Sequence, residues 1–378
     1  MYHKNQLRHF SLYAILQHMN KMNIGKQITI RFIDLFAGIG GFRYAIQNAG
    51  KKLDVPVDCV FSSEIDKECQ SVYRENFGEI PEGDIAQIKA ETIPDHDILL
   101  AGFPCQPFSI IGNLKGFEDT RGTLFFDIAR ILGAKKPAAF ILENVKLLVG
   151  HKKGRTIKRI METLNELGYH TSYKVLNALD FGLPQKRERV FIVGFLEPCF
   201  FEWPSRKAPM KPLSKILEKN VPEHYYASEH IRNKRLSKRS PTKELTIWHE
   251  NKAGNISAYP FSCALRAGAS YNYLLVNGER RLTSREMLRL QGFPDSFKIV
   301  CSYTQTRKQA GNSLPIPMAQ AIIENVFKAC GWGFSNYSME TDKLVVDGQL
   351  RLLEKEAKYG QIAKTEKRRK IQTALSSQ

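Results

Sequence analysis

The sequence predicts an α/β fold with a mostly parallel sheet, joined to a smaller and irregular second domain. Two observations predict this class. Between Arg31 and Gly194, short apolar runs of strand length alternate with stretches whose apolar residues recur every three to four positions. After Pro198, prolines become frequent and the periodicity is lost until about residue 280.

Each predicted element rests on its own pattern of apolar residues. The strands are the runs RFIDLF, CVFSS, DILLAGF, AAFILEN and RVFIVGF. The segments FFDIARILGAKK and GRTIKRIMETLNELGY between them have helical spacing, and so do RRLTSREMLRLQGF and IPMAQAIIENVFKACG further along the chain. We therefore divide the chain into an N-terminal extension, a main α/β domain, a smaller domain, a helical return that completes the main domain, and a charged C-terminal tail. Their respective ranges are 1–28, 29–198, 199–280, 281–335 and 336–378.

The composition indicates a protein that binds a polyanion. The 378 residues include 56 Lys and Arg against 38 Asp and Glu, a net charge of +18. A basic excess of this size fits nucleic acid, because each neutralised phosphate releases condensed counterions. Lys and Arg are also in excess between Arg206 and Lys243, which indicates phosphate contacts or a solvated basic face.

The seven cysteines indicate reduced thiols. They are scattered, odd in number and contain no Cys-x-x-Cys pair, which argues against a disulfide framework or a structural zinc site. We expect a cytoplasmic protein, since we find neither a signal peptide nor an apolar run long enough to span a membrane. No metal is expected.

A glycine-rich turn follows the first predicted strand. Phe36-Ala37-Gly38-Ile39-Gly40-Gly41 leads into a helix, and such a turn lets the backbone approach a ligand closely at a helix N-terminus. The next strand ends at Glu64, where a carboxylate can bind ribose hydroxyls, and Gly83-Asp84 follows. Together these features predict a nucleoside cofactor. They leave open whether it is a nicotinamide or a sulfonium compound.

A cysteine flanked by prolines follows the third predicted strand. Cys105 lies in GFPCQPFS, just past the carboxyl end of that strand, where ligands bind in doubly wound sheets. Pro104 and Pro107 prevent a helix from starting there and hold the thiol in a defined turn. The segment from Gln106 to about Gly122 is suited to be a lid over the site.

These motifs, with others in order, resemble those of the bacterial cytosine-5 DNA methyltransferases of type II restriction–modification systems. The resemblance covers roughly residues 31–330. It rests on FIDLFAGIGGFRYA, SSEID, GDI and GFPCQPFS, and on Glu143-Asn144-Val145, QKRER (185–189), RLTSREMLRLQGFP and QAGNS (309–313). The fold that it implies is a Rossmann-like catalytic domain that uses S-adenosylmethionine, with a smaller, irregular target-recognition domain over 199–280.

The resemblance also implies roles for individual residues. Cys105 would attack carbon 6 of a cytosine flipped out of duplex DNA, and Glu143 would hold the exocyclic amine and ring nitrogen 3. Arg189 would contact the ring carbonyl, and Arg187 would orient the nucleophile or the backbone. Both arginines could instead contact phosphates. The residues expected to bind S-adenosyl-L-methionine are Phe36, Gly38, Ile39, Gly40, Gly41, Glu64, Ile65, Asp84, Ile85, Pro104 and Asn312.

The implied substrate is a short specific site in double-stranded DNA. In such enzymes a region equivalent to 249–273 reads bases from the major groove, but irregular loops follow no residue-to-base code. A cognate restriction endonuclease acting on the same site is implied as a partner without a stable complex. We expect a monomer.

Three alternative functions compete with this interpretation. A tRNA cytosine-5 methyltransferase would share the catalytic motifs, but that branch carries a Cys-Phe-Thr motif, whereas Cys199-Phe200 is followed here by Phe201. A NAD-dependent oxidoreductase would explain the glycine turn and Glu64 but not the later motifs. A DNA-binding protein that has lost catalysis would not explain the intact Cys105 and Glu143.

Overall fold

A six-stranded sheet is the central element of residues 28–333, and the five predicted apolar runs form five of its strands. The sixth strand, over 170–177, was not predicted, because most of its residues are partly exposed and it has no continuous apolar run. The structure is a computed structural model that describes residues 28–104, 124–205, 208–241 and 243–333. Four predicted features lie outside these residues. They are the N-terminal extension up to residue 27, Cys105, the segment 106–122 and the tail over 336–378.

The strand order identifies the crevice of the sheet. In chain order the strands are β1 (Ile30–Leu35), β2 (Val57–Ser63), β3 (Ile98–Gly102), β4 (Ala139–Val145), β5 (His170–Asn177), β6 (Gln185–Lys186), β7 (Glu188–Phe195), β8 (Ile247–Glu250), β9 (Ile256–Tyr259), β10 (Ser262–Cys263) and β11 (Leu274–Val276). The central sheet has the order β2-β1-β3-β4-β7-β5. The chain passes from β1 to β2 on one side and returns to β3 on the other, so a crevice opens between the carboxyl ends of β1 and β3.

One strand of the sheet runs against the others. β1, β2, β3 and β4 pair in parallel, whereas β7 is antiparallel to both β4 and β5. β7 therefore begins at the edge where β4 ends, and Arg189 is paired with Val145. The amino end of β7 and the carboxyl ends of the five other strands thus meet at one edge.

The helices cover both faces of this sheet. They are α1 (Gly41–Leu53), α2 (Lys67–Phe77), α3 (Leu124–Lys135), α4 (Leu147–Gly150), α5 (Arg155–Glu166), α6 (Glu229–Leu236), α7 (Ser284–Gln291), α8 (Tyr303–Asn312) and α9 (Ile316–Ala329). Alternate strand residues enter two separate cores, as the side-chain period of a strand requires. Phe32 packs in one core with α1 and α9, and its neighbour Ile33 packs in the other with α3 and α5. The predicted α/β class is confirmed.

Short elements make up most of the region 199–280. β8 pairs with β9 and β11 in a small antiparallel sheet, and buried Trp248 lies on its central strand. β10 pairs with β6, so this region is joined to the chain just before β7. The boundaries proposed for the domains stay predictions. In the ranges that the structure describes, no helix has the length and apolar character needed to cross a membrane.

Candidate active site

A cavity of about 840 Å³ opens at the carboxyl edge of the central sheet. The parallel strands of the crevice end at the wall of this cavity, and β7 begins there. Its lining contains all of the predicted site residues that the structure describes, except Gly40 and Arg187. From the glycine turn and cofactor set these are Phe36, Gly38, Ile39, Gly41, Glu64, Ile65, Asp84, Ile85, Pro104 and Asn312, and from the catalytic set Glu143 and Arg189.

The glycine turn forms the floor of the cavity beside β1. Gly38 and Gly40 have positive φ angles of 54° and 85°, which a residue with a Cβ atom rarely adopts. A Cβ atom at Gly40 would also lie 2.2 Å from the ring of Phe77. Gly40 therefore lies behind the wall of the cavity and shapes the turn, while the N-terminus of α1 points its first N–H groups toward the space.

Glu64 connects the turn to the end of β2. Its Oε2 atom accepts a hydrogen bond of 2.8 Å from the backbone N–H of Gly38, and its Oε1 atom accepts one of 2.8 Å from the backbone N–H of Asp66. Each carboxylate oxygen still has a free lone pair, because a carboxylate offers about four acceptor sites. Glu64 can therefore hold the turn in place and accept hydroxyl hydrogen bonds from a ligand.

An apolar surface lies next to these acceptors. Ile65 is 69% exposed although it is a large hydrophobic residue, and it lines the cavity. Asp84 accepts a hydrogen bond of 3.0 Å from Ala86 N–H, which fixes the carboxylate beside Ile85. An exposed aliphatic side chain between two carboxylates suits a flat ring with hydrogen-bond donors at its edges.

The turn after β3 is tied to the end of β4. The side-chain amide of Asn144 donates a hydrogen bond of 2.9 Å to the carbonyl of Phe103, and its oxygen accepts one of 2.8 Å from Val145 N–H. Asn144 is 2% exposed, so water cannot easily replace these bonds. This contact holds Phe103 and Pro104 at the cavity wall. Cys105 follows Pro104 and lies outside the described residues.

Glu143 and Arg189 form an ion pair inside the cavity. Arg189 Nε lies 2.8 Å from Glu143 Oε1, and the two side chains are 13% and 11% exposed. Burial raises the pKa of Glu143, and the positive charges of Arg189 and Arg187 oppose that shift. A carboxyl group whose pKa is raised can keep a proton at higher pH and donate it in a hydrogen bond.

Arg187 is held behind the cavity and does not line it. Its guanidinium donates to the carbonyls of Leu265, Gly311 and Ser313 at 2.8, 2.8 and 2.7 Å. Burial and the neighbouring Arg189 lower the pKa of Arg187 to about 9, so the group remains charged at neutral pH. With 1% exposure it cannot contact phosphates, and it instead joins three backbone segments around the cavity.

Several residues to which the sequence assigned no role also line the cavity. They include Asp66, Leu265, Arg266 and Lys308. Lys308 lies four residues before Asn312 on α8, so both project from one face of the helix. Its ammonium group lies 2.8 Å from Asp66, which caps α2. The four-residue spacing between Lys308 and Asn312 could have indicated from the sequence that Lys308 lies at the site. No local sequence pattern indicated the same for Leu265 or Arg266.

Within the described part of the chain, no three His, Cys, Asp or Glu side chains are grouped so that they could hold a metal ion. The polar groups that line the cavity include backbone N–H groups, four carboxylates, two guanidinium groups, the ammonium group of Lys308 and side-chain amides. This set provides hydrogen bonds to a nucleoside at one end and to a planar amide-like ring at the other.

Comparisons with known proteins all identify the same family. The profile of a family described as C-5 cytosine-specific DNA methylase matches residues 30–328. The chain is 56% identical to Type II methyltransferase M.HaeII of Haemophilus aegyptius, covering 85% of this chain and 98% of that protein. It is 57% identical to Type II methyltransferase M.NgoBI of Neisseria gonorrhoeae, covering 76% of this chain and 90% of that protein.

Solved structures share the fold at lower identity. The crystal structure of the S. pombe Dnmt2 methyltransferase has a TM-score of 0.61 and 20% identity, covering 80% of this chain and 99% of that one. A putative DNA modification methyltransferase encoded within an E. coli prophage has a TM-score of 0.56 and 20% identity, with the same coverages. At this identity the likeness concerns the fold.

Proposed function

The chain belongs to the C-5 cytosine-specific DNA methylase family, and from this membership we propose that it methylates carbon 5 of a flipped-out cytosine through an adduct with Cys105. At 56–57% identity to type II methyltransferases over most of its length, it is a DNA (cytosine-5-)-methyltransferase. One observation carries the mechanistic proposal: the glycine turn with Glu64 and the Glu143–Arg189 pair line the same cavity.

The proposed methyl donor is S-adenosylmethionine, and the lining fits it. The glycine turn and the N-terminus of α1 would bind its polar end, Glu64 its ribose hydroxyls, and Ile65 and Asp84 its adenine ring. S-adenosylmethionine, when bound, supplies an electrophilic methyl group. The uncommon exposure of Ile65 supports this assignment, because a planar base would cover an apolar side chain that is otherwise in water.

Glu143 and Arg189 are proposed to hold the cytosine ring. The Cys105 thiolate forms a bond to carbon 6, which moves electrons toward carbon 5 and ring nitrogen 3. Glu143 donates a proton or hydrogen bond at nitrogen 3, and Arg189 donates to the ring carbonyl, so the developing charge is neutralised. After carbon 5 is methylated it loses its proton to water, and the bond between carbon 6 and sulfur breaks to restore the double bond and the Cys105 thiolate. Nitrogen 3 returns its proton to Glu143.

The depth of this pair requires base flipping. Glu143 is buried, and the exocyclic amine and nitrogen 3 of a cytosine that is stacked and paired in the duplex cannot reach a buried carboxyl group. The target nucleotide must therefore leave the duplex, at a cost of a few kcal/mol for unstacking and unpairing. The biological role that we propose is protection of host DNA from a restriction endonuclease with the same target site.

A tRNA substrate is the second candidate and is less favoured. The relatives at 44–57% identity that we compared are type II methyltransferases, whereas the Dnmt2 structure is 20% identical and shares the fold. The sequence also lacks the Cys-Phe-Thr motif at Cys199.

Bisulfite sequencing tests the proposed activity in cells. We expect expression of the chain, in a host without cytosine methylation, to protect cytosines within one short DNA motif from conversion. Specific contacts restrict methylation to a motif because each mismatched base pair costs about 1–3 kcal/mol. Cells with an empty vector provide the control. Complete conversion of the genome, with folded protein present and protected positions in tRNA, would replace the DNA substrate with RNA.

Glu64→Ala is expected to weaken S-adenosylmethionine binding by about 10- to 100-fold, because a hydrogen bond to a charged group contributes about 1.5–3 kcal/mol. Isothermal titration calorimetry measures the change. Glu82→Ala is the matched control, since the Glu82 side chain is exposed nearby and does not line the cavity. If both variants bind the cofactor like the wild type, Glu64 only orders the turn and its proposed role in binding is wrong.

A further inference from the structure

Arg266 lies at the rim of the cavity without a charged partner. Its side chain is exposed, and it lines the same cavity as Glu143 and Arg189. Within the described ranges of the chain, no carboxylate forms an ion pair with it. Arg307, which lines a smaller pocket together with Arg266, donates to the carbonyl of Ala269. Arg266 therefore presents an exposed positive charge at the rim that no carboxylate of the described ranges pairs with.

The side chain of Arg266 is held in place by an aromatic ring. Its guanidinium carbon lies 4.8 Å from the ring centroid of Tyr273, a cation–π distance. The backbone N–H of Arg266 also donates a hydrogen bond of 2.9 Å to the Tyr273 hydroxyl. Tyr273 is buried, so a single rigid side chain fixes both the backbone and the charged group of Arg266.

The backbone around Arg266 is fastened to the catalytic motifs. Gln185 accepts a hydrogen bond from Leu265 N–H at 3.1 Å, and Arg187 donates to the Leu265 carbonyl at 2.8 Å. Gly311 lets α8 approach this segment, since a Cβ atom there would lie 2.5 Å from Ala267 N. These contacts place a preordered cation beside the cavity, where an anion would lose little entropy on binding.

We propose that Arg266 binds the DNA phosphodiester next to the flipped cytosine and so holds the extruded nucleotide at the cavity. The inference rests on the proposed function, because it takes the substrate to be a base extruded from DNA. A flipped base carries its own phosphates to the rim of its pocket, and a guanidinium recognises phosphate with paired donors. The Arg187 contacts, which join Leu265 to α8, then have a function in substrate binding as well as in folding.

The carboxylate of S-adenosylmethionine is the other anion that could occupy this position. Most of the residues proposed to bind the cofactor follow β1 and β2, whereas Arg266 follows β10 and contacts Tyr273, just before β11. Asn312 on α8 is the member of the cofactor set nearest to Arg266 in the fold, since the adjacent Gly311 packs against Ala267. This placement on the side of the small sheet favours DNA. If the bound anion is a DNA phosphate, removal of the Arg266 charge should change the affinity for DNA and leave the affinity for the cofactor unchanged.

The test compares Arg266→Met, Arg266→Lys and Arg31→Met in methylation of a linear plasmid fragment across a series of KCl concentrations. Arg31 is a control at the opposite edge of the sheet, where it pairs with Asp97. For Arg266→Met we expect kcat/KM to fall about tenfold, mainly through KM. The slope of log kcat/KM against log salt should become shallower by about 0.9, the value for one phosphate contact.

Three further outcomes decide the proposal. Arg266→Lys should keep most of the salt slope, and Arg31→Met and the cofactor affinity of every variant should match the wild type. An unchanged salt slope in Arg266→Met, or a loss that appears in cofactor affinity, overturns the assignment of Arg266 while the methyltransferase function stands. A wild-type protein that methylates no DNA overturns both. Thermal unfolding of Arg266→Met, compared with the wild type, separates loss of folding from loss of the contact.

Discussion

Cys105→Ser is expected to abolish DNA methylation, with a loss on the order of 10³-fold or more, while binding of cofactor and DNA is retained. The thiolate is a strong nucleophile near neutral pH, whereas a serine hydroxyl has a far higher pKa and no general base is proposed beside it. The measurement is incorporation of labelled methyl groups into plasmid DNA, with binding followed separately by calorimetry and gel shift.

The structure supports this expectation through the residues just before Cys105. Asn144 holds the Phe103 carbonyl at 2.9 Å, and Pro104 lines the cavity that contains Glu143. Cys105 follows Pro104 directly in the sequence and lies outside the described residues. Because Asn144 adjoins Glu143 in β4, one strand end holds both the Glu143 carboxyl group and the carbonyl of Phe103, two residues before Cys105 in the sequence.

Cys199→Ser provides the matched control for this experiment. Cys199 is exposed and lies outside the cavity lining, so its replacement should leave methylation unchanged. Near wild-type methylation by Cys105→Ser would contradict the covalent mechanism. Loss of DNA binding by the same variant would instead indicate that the cysteine supports the structure of the site.

The sequence could predict the strand ends because their signals are local. A buried strand such as ILLAG shows its apolar run, and the glycines after β1 show the need for positive φ angles. Parallel strands then bring their carboxyl ends to one edge, whatever the details of packing. Glu64, Asp84 and Glu143 line one cavity for this reason, although they are far apart in the chain.

The positions of Arg187 and Arg266 could not be predicted in this way, because they depend on contacts between segments that are distant in the sequence. Arg187 lies two residues before Arg189 and looks equivalent to it in the sequence. Its side chain, however, faces away from the cavity and donates to the carbonyl of Leu265, 78 residues further along the chain. Arg266 lies in a region without periodicity, and its position depends on Tyr273, Gln185 and the missing Cβ of Gly311. Only the packed structure brings these together.

Glu143→Gln is expected to lower kcat by about 10²- to 10³-fold, the range for loss of a general acid. A glutamine has nearly the same shape and keeps an oxygen that can accept the hydrogen bond from Arg189 Nε. The substitution therefore removes the proton that Glu143 could supply while it retains the ion pair's geometry. Single-turnover methylation measures the chemical step directly.

The pH dependence distinguishes a proton donor from a structural anchor. Burial raises the pKa of Glu143, against the opposing charges of Arg189 and Arg187, so the carboxyl group stays protonated to higher pH than in water. The wild-type rate should therefore fall on the alkaline side, as pH rises through that raised pKa, even though the Cys105 thiolate becomes more abundant. Glu143→Gln should lose this alkaline fall and keep the rise that reflects thiolate formation.

Glu188→Gln is the control because Glu188 pairs with Lys146 near the cavity but does not line it. It should keep the full wild-type pH profile. If Glu143→Gln retains wild-type kcat, the carboxyl group acts only through its contact with Arg189. If it is slow but keeps the alkaline fall, another group supplies the proton, and Glu143 only orients the ring.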